Sequence, residues 1–205
     1  MKSVLLSLVV MVGAAGLSGC SDPEADRAEA AAADAAKAAE ARVREAAATK
    51  REAERLADLW TYSDTPAGKG RQLSTYLYSA EGVDTDGQGA KRVQLVFRDH
   101  PSWGRSSYLV LQGGDFNCYS GCNVQVTVDD AAAKPMAGRR PKTDEAIAMF
   151  INDEMTLWRM TAGAKRLSVE FPVKAGGTRT ATFEIAGLDR SKMPGWDAAV
   201  RSQAR

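Results

Sequence analysis

The stretch Arg92-Val93-Gln94-Leu95-Val96-Phe97-Arg98 decides the fold. Val93, Leu95 and Phe97 recur at every second position, which in an extended chain lays them on one face. The same period of two returns elsewhere. Residues 74–79 alternate around Tyr76 and Tyr78, and residues 106–111 set Tyr108 and Val110 against Leu109 and Leu111. Residues 123–129 carry Val124, Val126 and Val128, residues 166–173 carry Leu167, Val169 and Phe171, and residues 178–186 carry Ala181, Phe183 and Ile185. Gly, Pro, Asp and Ser separate these runs, as turns require, and Gly176-Gly177 predicts a hairpin between the last two.

One segment breaks the pattern. In residues 144–162, Ile147, Phe150, Ile151, Met155, Leu157, Trp158 and Met160 recur at spacings of three and four. That spacing predicts a helix, with Thr143 or Asp144 as its cap and Gly163 at its end. Four strands, one helix and two strands argue for antiparallel pairing, because a parallel sheet needs a crossover helix between strands. The expected fold class is therefore α+β: a β-rich antiparallel sheet or sandwich with one packed helix, over residues 60–190. Residues 191–205 are expected to be a C-terminal tail with a frayed helix.

Residues 24–59 are a different kind of sequence. Alanine dominates, interspersed with Glu, Asp, Lys and Arg, and glycine is absent. These are strong helix formers, and Pro23 suits a first turn. Glu40 with Arg44 and Asp34 with Lys37 supply i,i+4 and i,i+3 pairs. Large apolar residues are few: Val43, Leu56 and Leu59. A helix with so little to bury is expected to stand in solvent as a long Ala-rich helical stalk, roughly 50 Å long at 1.5 Å per residue. A coiled coil with copies of itself is the other reading, against which the sparse Val and Leu count. In composition the segment resembles the helical body of the murein lipoproteins. Their linkage through a C-terminal lysine is not expected of a chain ending Gln203-Ala204-Arg205.

Residues 1–19 have the build of a secretory leader: Lys2, an apolar run from Val4 to Val12, then small residues. They lead into Leu17-Ser18-Gly19-Cys20, which resembles the lipobox of bacterial lipoproteins. The resemblance implies cleavage before Cys20 and acylation of its sulfur, with palmitate-type chains holding the protein to a membrane. The apolar run is too short to span a bilayer. Two or three acyl chains, at about 0.8 kcal/mol per buried methylene, anchor where a single chain does not. Ser21, in place of Asp, implies sorting to the outer membrane, facing the periplasm, in preference to the inner membrane. The domain plan is thus 1–19 signal peptide, 20–59 lipidated N-terminus and stalk, 60–190 globular domain and 191–205 tail.

The chain carries 27 Lys and Arg against 26 Asp and Glu. Loss of the leader removes Lys2 and leaves a formal charge of zero, which argues against nucleic acid as a partner. Of three cysteines, Cys20 is assigned to lipid, leaving Cys118 and Cys122 as an even pair in an oxidising compartment. In Cys118-Tyr119-Ser120-Gly121-Cys122, Ser120 and Gly121 permit the turn that brings the sulfurs together, so a disulfide clip is expected. A thioredoxin-like centre requires Cys-x-x-Cys. Zinc requires further thiol or imidazole ligands, and His100 is the only histidine. No metal and no cofactor is expected.

No catalytic residue emerges. His100 lies near Asp99 and Ser102, but adjacency in sequence is not triad geometry, and it reads as a loop histidine after a strand. Asp129-Asp130 lacks the further oxygen ligands of a calcium loop and reads as a strand-end turn. Lys134, Arg139, Arg140 and Lys142, with prolines at 135 and 141, form a candidate anion-binding loop, suited to anionic polymers or headgroups. Trp103 or Trp196, if exposed, would stack on a sugar ring, whereas Trp60 and Trp158 are expected in the core.

A second resemblance spans residues 60–190. Trp60-Thr61-Tyr62, Phe116-Asn117-Cys118 through Cys122, the run from Val124 to Asp130, Ala164-Lys165-Arg166-Leu167 and the run from Thr182 to Leu188 resemble an uncharacterised periplasmic domain. That domain is also seen in accessory proteins associated with type VI secretion. The resemblance implies a small envelope domain and carries over no functional residue. The sequence thus points to a non-enzymatic, lipid-anchored envelope protein that binds a protein partner or a cell-wall polymer such as peptidoglycan. The alternatives are a secretion-system accessory or inhibitory lipoprotein, and an envelope hydrolase with an unrecognised active site.

Overall fold

Alternating side chains need a partner strand on each side and a core on one face, and the chain meets both needs with one sheet. The computed structural model describes residues 23–141 and 147–203. Among the described residues there are nine strands: β1 (Thr61–Ala67), β2 (Gly70–Val83), β3 (Lys91–His100), β4 (Gly104–Val110), β5 (Cys122–Val128), β6 (Lys134–Arg139), β7 (Ala148–Ile151), β8 (Arg166–Pro172) and β9 (Thr178–Glu184). Three α-helices accompany them, α1 (Pro23–Asp58), α2 (Glu154–Met160) and α3 (Pro194–Gln203), with a 3-10 turn at Arg190–Lys192. The strand order is β1-β2-β3-β4-β7-β6-β5-β8-β9, and every pairing is antiparallel. The fold is α+β. The sheet curls far enough to bring β9 alongside β2 without pairing to it. It is therefore neither two separate sheets nor a flat sheet under a helix, but one sheet wrapped around its core.

The core follows the alternation. Leu77, Leu95, Phe97, Leu109, Val124, Val126, Leu167, Val169, Phe171, Ala181 and Phe183 all point inward and are buried. Phe97 is the hub of an aromatic cluster. Its ring lies 5.1 Å from Trp158, 5.4 Å from Trp196 and 6.4 Å from Trp60, measured between centroids. Burial of each such side chain contributes roughly 1.5–3 kcal/mol. Buried hydroxyls are satisfied by backbone. Ser79 sits at a register shift between β2 and β3, where its Oγ donates to the Glu81 carbonyl at 2.6 Å and accepts from Val93 N at 3.0 Å. The predicted Gly176-Gly177 hairpin is present, with φ of 102° and 71° at a turn that needs left-handed backbone.

Two expectations are corrected. The helix expected over residues 144–162 is only α2; residues 148–151 are strand β7, and the candidate caps Thr143 and Asp144 lie outside the described residues. Tertiary pairing overrides the helical period here. β7 fills the place between β4 and β6, so its backbone is bonded on both sides while Met149 and Ile151 enter the core. The helix cap is Asp153, whose carboxylate accepts from Thr156 N at 3.2 Å. The globular core also does not stop at residue 190: Met193 and Trp196 are buried in it, and α3 packs on α2.

The chain divides into two compact units, Met1–Ala47 and Ala48–Arg205. In the first, the described residues are helical from Pro23 and lie open to solvent; Val43 is 69% exposed. The expected pairs form, with Arg44 to Glu40 at 3.4 Å and Lys37 to Asp34 at 3.8 Å. The second unit takes in the end of α1, where Arg55 bonds Glu184 at 2.8 Å and bonds Glu52 on its own helix. Among the described residues no helix is long and apolar enough to cross a membrane.

Candidate functional site

The side of the sheet facing away from the core should be polar, and over β5 and β8 the outward residues are Gln125, Thr127, Ser168 and Glu170. Over β2, β3, β4 and β7 it is not. The registers Tyr76↔Val96, Val96↔Tyr108, Tyr108↔Phe150 and Phe150↔Arg139 place one row of side chains across five strands. Tyr78, opposite Gln94, adds to the row's edge, and its ring meets that of Tyr76 edge-on at 5.9 Å. The Tyr108 and Phe150 rings lie 5.1 Å apart.

Beside the middle of the row, the same face of β3 and β4 runs on into the turn that joins them. Arg98 spreads its guanidinium over Tyr108 at 5.5 Å and over Trp103 at 5.4 Å, and its Nε donates to Ser106 Oγ at 3.2 Å. His100 stacks on Trp103, with centroids 3.9 Å apart and planes 11° from parallel. Its Nδ1 accepts from the backbone N–H of Ser102 and of Trp103, at 3.1 and 3.2 Å. The turn is therefore stiff, and it holds the Trp103 indole out in solvent at 71% exposure. Burial pushes the Tyr108 phenol above its usual range, against the opposing pull of Arg98, so Tyr108 stays a neutral donor and acceptor. The assembly offers flat π faces, hydroxyls, an amide and two guanidiniums on one rigid surface.

The other predicted residues scatter. Trp196 is fully buried, against the expectation that it reaches a sugar, while Trp103 meets that expectation of exposure. The run 134–139 is not a basic loop but strand β6, with Lys134 and Arg139 at its ends. Arg140 is buried: its Nε donates to Asp115 Oδ1 at 2.5 Å, and its guanidinium lies 4.7 Å from the Tyr119 ring. Burial alone raises the Asp115 carboxyl. The hydrogen bonds from Arg140 and Tyr119 outweigh it and hold that carboxyl below its ordinary range. Lys142 and Cys20 lie outside the described residues.

Cys118 and Cys122 are joined by a disulfide. Asp129 adopts φ of 48° and its Oδ1 accepts from Lys165 N and Arg166 N, at 3.0 and 2.8 Å, so it closes a turn. The cavity of about 400 Å³ beside it is lined by Asp129, Asp130, Lys165, Arg166 and Glu184, a mixture of both charge signs. Among the described residues no group of three or more His, Cys, Asp or Glu side chains is placed to hold a metal ion. Sequence reasoning missed Tyr76, Tyr78, Arg98, Tyr108 and Phe150 as a set. The signal was present as aromatic residues on the polar side of predicted strands, but their alignment depends on the register.

Comparison with known proteins gives no match: no family model, no curated protein and no solved structure matches the chain.

Proposed function

We propose that the protein is a non-enzymatic, lipid-anchored envelope protein that binds a cell-wall glycan along the outward face of β2, β3, β4 and β7. The observation that carries this is the half-buried row of Tyr76, Tyr108 and Phe150, with the exposed Trp103 on the β3–β4 turn beside it. Tyr76, Tyr108 and Phe150 are half-buried beside a buried Val96, and Tyr78 and Trp103 are the exposed rings at the margins of the row. Exposed aromatic surface of this kind marks an interaction site. Rigid aromatic rings supply contact area at low entropic cost. A sugar ring presents an apolar C–H face to such rings, while its hydroxyls reach Gln94, Ser106 and the tyrosine hydroxyls at the rim. The acidic groups of peptidoglycan suit Arg98 and Arg139, which flank the row. Acyl chains on Cys20 would hold the protein in the outer membrane, and α1 would act as the stalk that carries the domain towards the wall.

The test is sedimentation of the full chain with purified peptidoglycan sacculi. The reading expects the protein in the pellet, and expects Trp103→Ala to move it to the supernatant with no change in melting temperature. A protein that stays in the supernatant, or a Trp103→Ala variant that pellets as the parent does, overturns it. Recovery of one stoichiometric protein crosslinked through this face would assign the surface to a protein partner instead.

A further inference from the structure

Three sulfur atoms converge on one backbone position. Gly138, in β6, pairs with Cys122 of β5 on one side and with Ile151 of β7 on the other. A Cβ placed on it would lie 3.0 Å from Cys122 Sγ, 3.2 Å from Met149 Sδ and 3.4 Å from Cys118 Sγ. Glycine leaves that space clear. Met149 is fully buried, Cys118 nearly so, and Cys122 is partly open to solvent. Cys122 Sγ and Met149 Sδ are 3.7 Å apart. Metal–sulfur bonds of about 2.3 Å, set trigonally, put their sulfurs about 4.0 Å apart, so the cysteine–methionine pair already stands near that spacing. The two cysteine sulfurs need only separate, on a loop of three intervening residues whose Gly121 has a φ of 92°.

We propose that, with its disulfide reduced, the protein binds one Cu(I) ion through Cys118, Cys122 and Met149. A dithiol reductant opens the disulfide by exchange and leaves as its own disulfide. Cys118 and Cys122 become two thiols, and Cu(I) then binds both as thiolates, releasing two protons. The donor set is soft, two thiolates and a thioether, which selects Cu(I) over harder ions. Zinc would want a further thiolate or an imidazole, and the third sulfur here is a thioether. The oxidised disulfide excludes the ion, so the site loads only under reducing conditions. Cys122 at the surface gives the ion its way in, and the buried Met149 closes the coordination from the core side. The proposal is independent of the aromatic face and stands or falls without it.

The full chain is reduced with a phosphine, freed of reductant by anaerobic gel filtration, and titrated with Cu(I) against bathocuproine disulfonate. The expected result is one equivalent of Cu(I) retained, none without reduction and none in the Cys118→Ser/Cys122→Ser variant. Met149→Leu, which preserves volume and both thiols, should weaken retention by at least about tenfold, a loss of the size that even indirect partners of a metal ligand produce. Circular dichroism of the reduced chain checks that the sheet persists. Retention below one equivalent, loss of the sheet on reduction, or Met149→Leu binding Cu(I) as tightly as the parent would each overturn the proposal.

Discussion

The indole N–H of Trp158 donates to Asp197 Oδ1 at 2.8 Å, and Arg190 Nη2 donates to the same oxygen at 2.6 Å. One carboxylate thus joins α2, α3 and the 3-10 turn between β9 and α3. Behind it Trp158 and Trp196 sit 5.0 Å apart, both against Phe97. Deleting residues 191–205 would remove Met193, Trp196 and Asp197 together, and leave Trp158 with an open flank and an unpaired N–H. Such a truncation should fail to fold cooperatively. Trp196→Ala alone should cost about 3–5 kcal/mol, the range for a large aromatic deleted from a core, read from urea unfolding. A truncated chain with the parent's midpoint would show that the residues form only a tail.

Asp115 gives a pH dependence of definite sign. Its carboxyl is lowered in the native state by Arg140 and Tyr119 despite burial. A depressed native pKa means the unfolded chain binds the proton more tightly, so folding is favoured by the difference wherever both forms are ionised. That contribution is complete above about pH 4, the ordinary value for Asp, and is lost as pH falls through the lower native pKa. Asp115→Asn should flatten the stability profile over that acid range. It should also destabilise at neutral pH, because it removes a carboxylate that bonds the buried Arg140 guanidinium. Thermal melts between pH 2 and 7 measure both effects. An unchanged acid profile would mean the ion pair does not form in solution.

The aromatic face separates binding from stability. Trp103 projects from a turn, so Trp103→Ala should shift stability by no more than about 0.5 kcal/mol. Trp103→Phe keeps a flat ring and should retain part of the glycan binding, whereas Arg98→Gln removes the charge that lies over both Trp103 and Tyr108. Sedimentation with sacculi, run beside thermal melts, distinguishes these effects. Equal binding by Trp103→Phe and Trp103→Ala would mean that ring stacking plays no part.

Particular residues explain what could be read in advance. Val93, Leu95 and Phe97 announce β3 because each buried side chain is large and each intervening one, apart from Val96, is polar. β1, Thr-Tyr-Ser-Asp-Thr-Pro-Ala, has no such signal: it is an edge strand and buries little. β6 hides for another reason. Its inward residues are Met136 and Gly138, and the glycine is there because three sulfurs need the room. β7 is four residues long, and Ala148, Met149, Phe150 and Ile151 fit a helical stripe as well as a strand. Both candidate surfaces arise from register. Nothing local brings Tyr108 opposite Phe150, or Met149 to Cys122; β4, β5, β6 and β7 must be paired first.

The anchoring expectation rests on one sulfur. Cys20→Ser should abolish labelling of the protein by palmitate, because the hydroxyl replaces the sulfur that would carry the acyl chains. Parent protein that takes up no palmitate would remove both the anchor and the outer-membrane location from the proposed role.

The end of α1 supplies the last test. Arg55 reaches from the helix to Glu184 on β9, and both side chains are about half exposed. Charges so open to water contribute little, so Arg55→Ala should barely move the melting temperature. Gly187, just beyond β9, is different. A Cβ there would run into the Leu56 carbonyl and the Ala57 nitrogen, which are backbone and cannot rotate away. Gly187→Ala should therefore cost about 1–3 kcal/mol, the usual size for overpacking, while leaving the charges intact. The comparison decides whether the ion pair helps to hold residues 48–58 to the sheet: close backbone approach alone predicts loss only in Gly187→Ala, and an ionic clasp predicts loss in Arg55→Ala as well. Limited proteolysis within 48–58, set against the melting temperature of each variant, reads the difference directly.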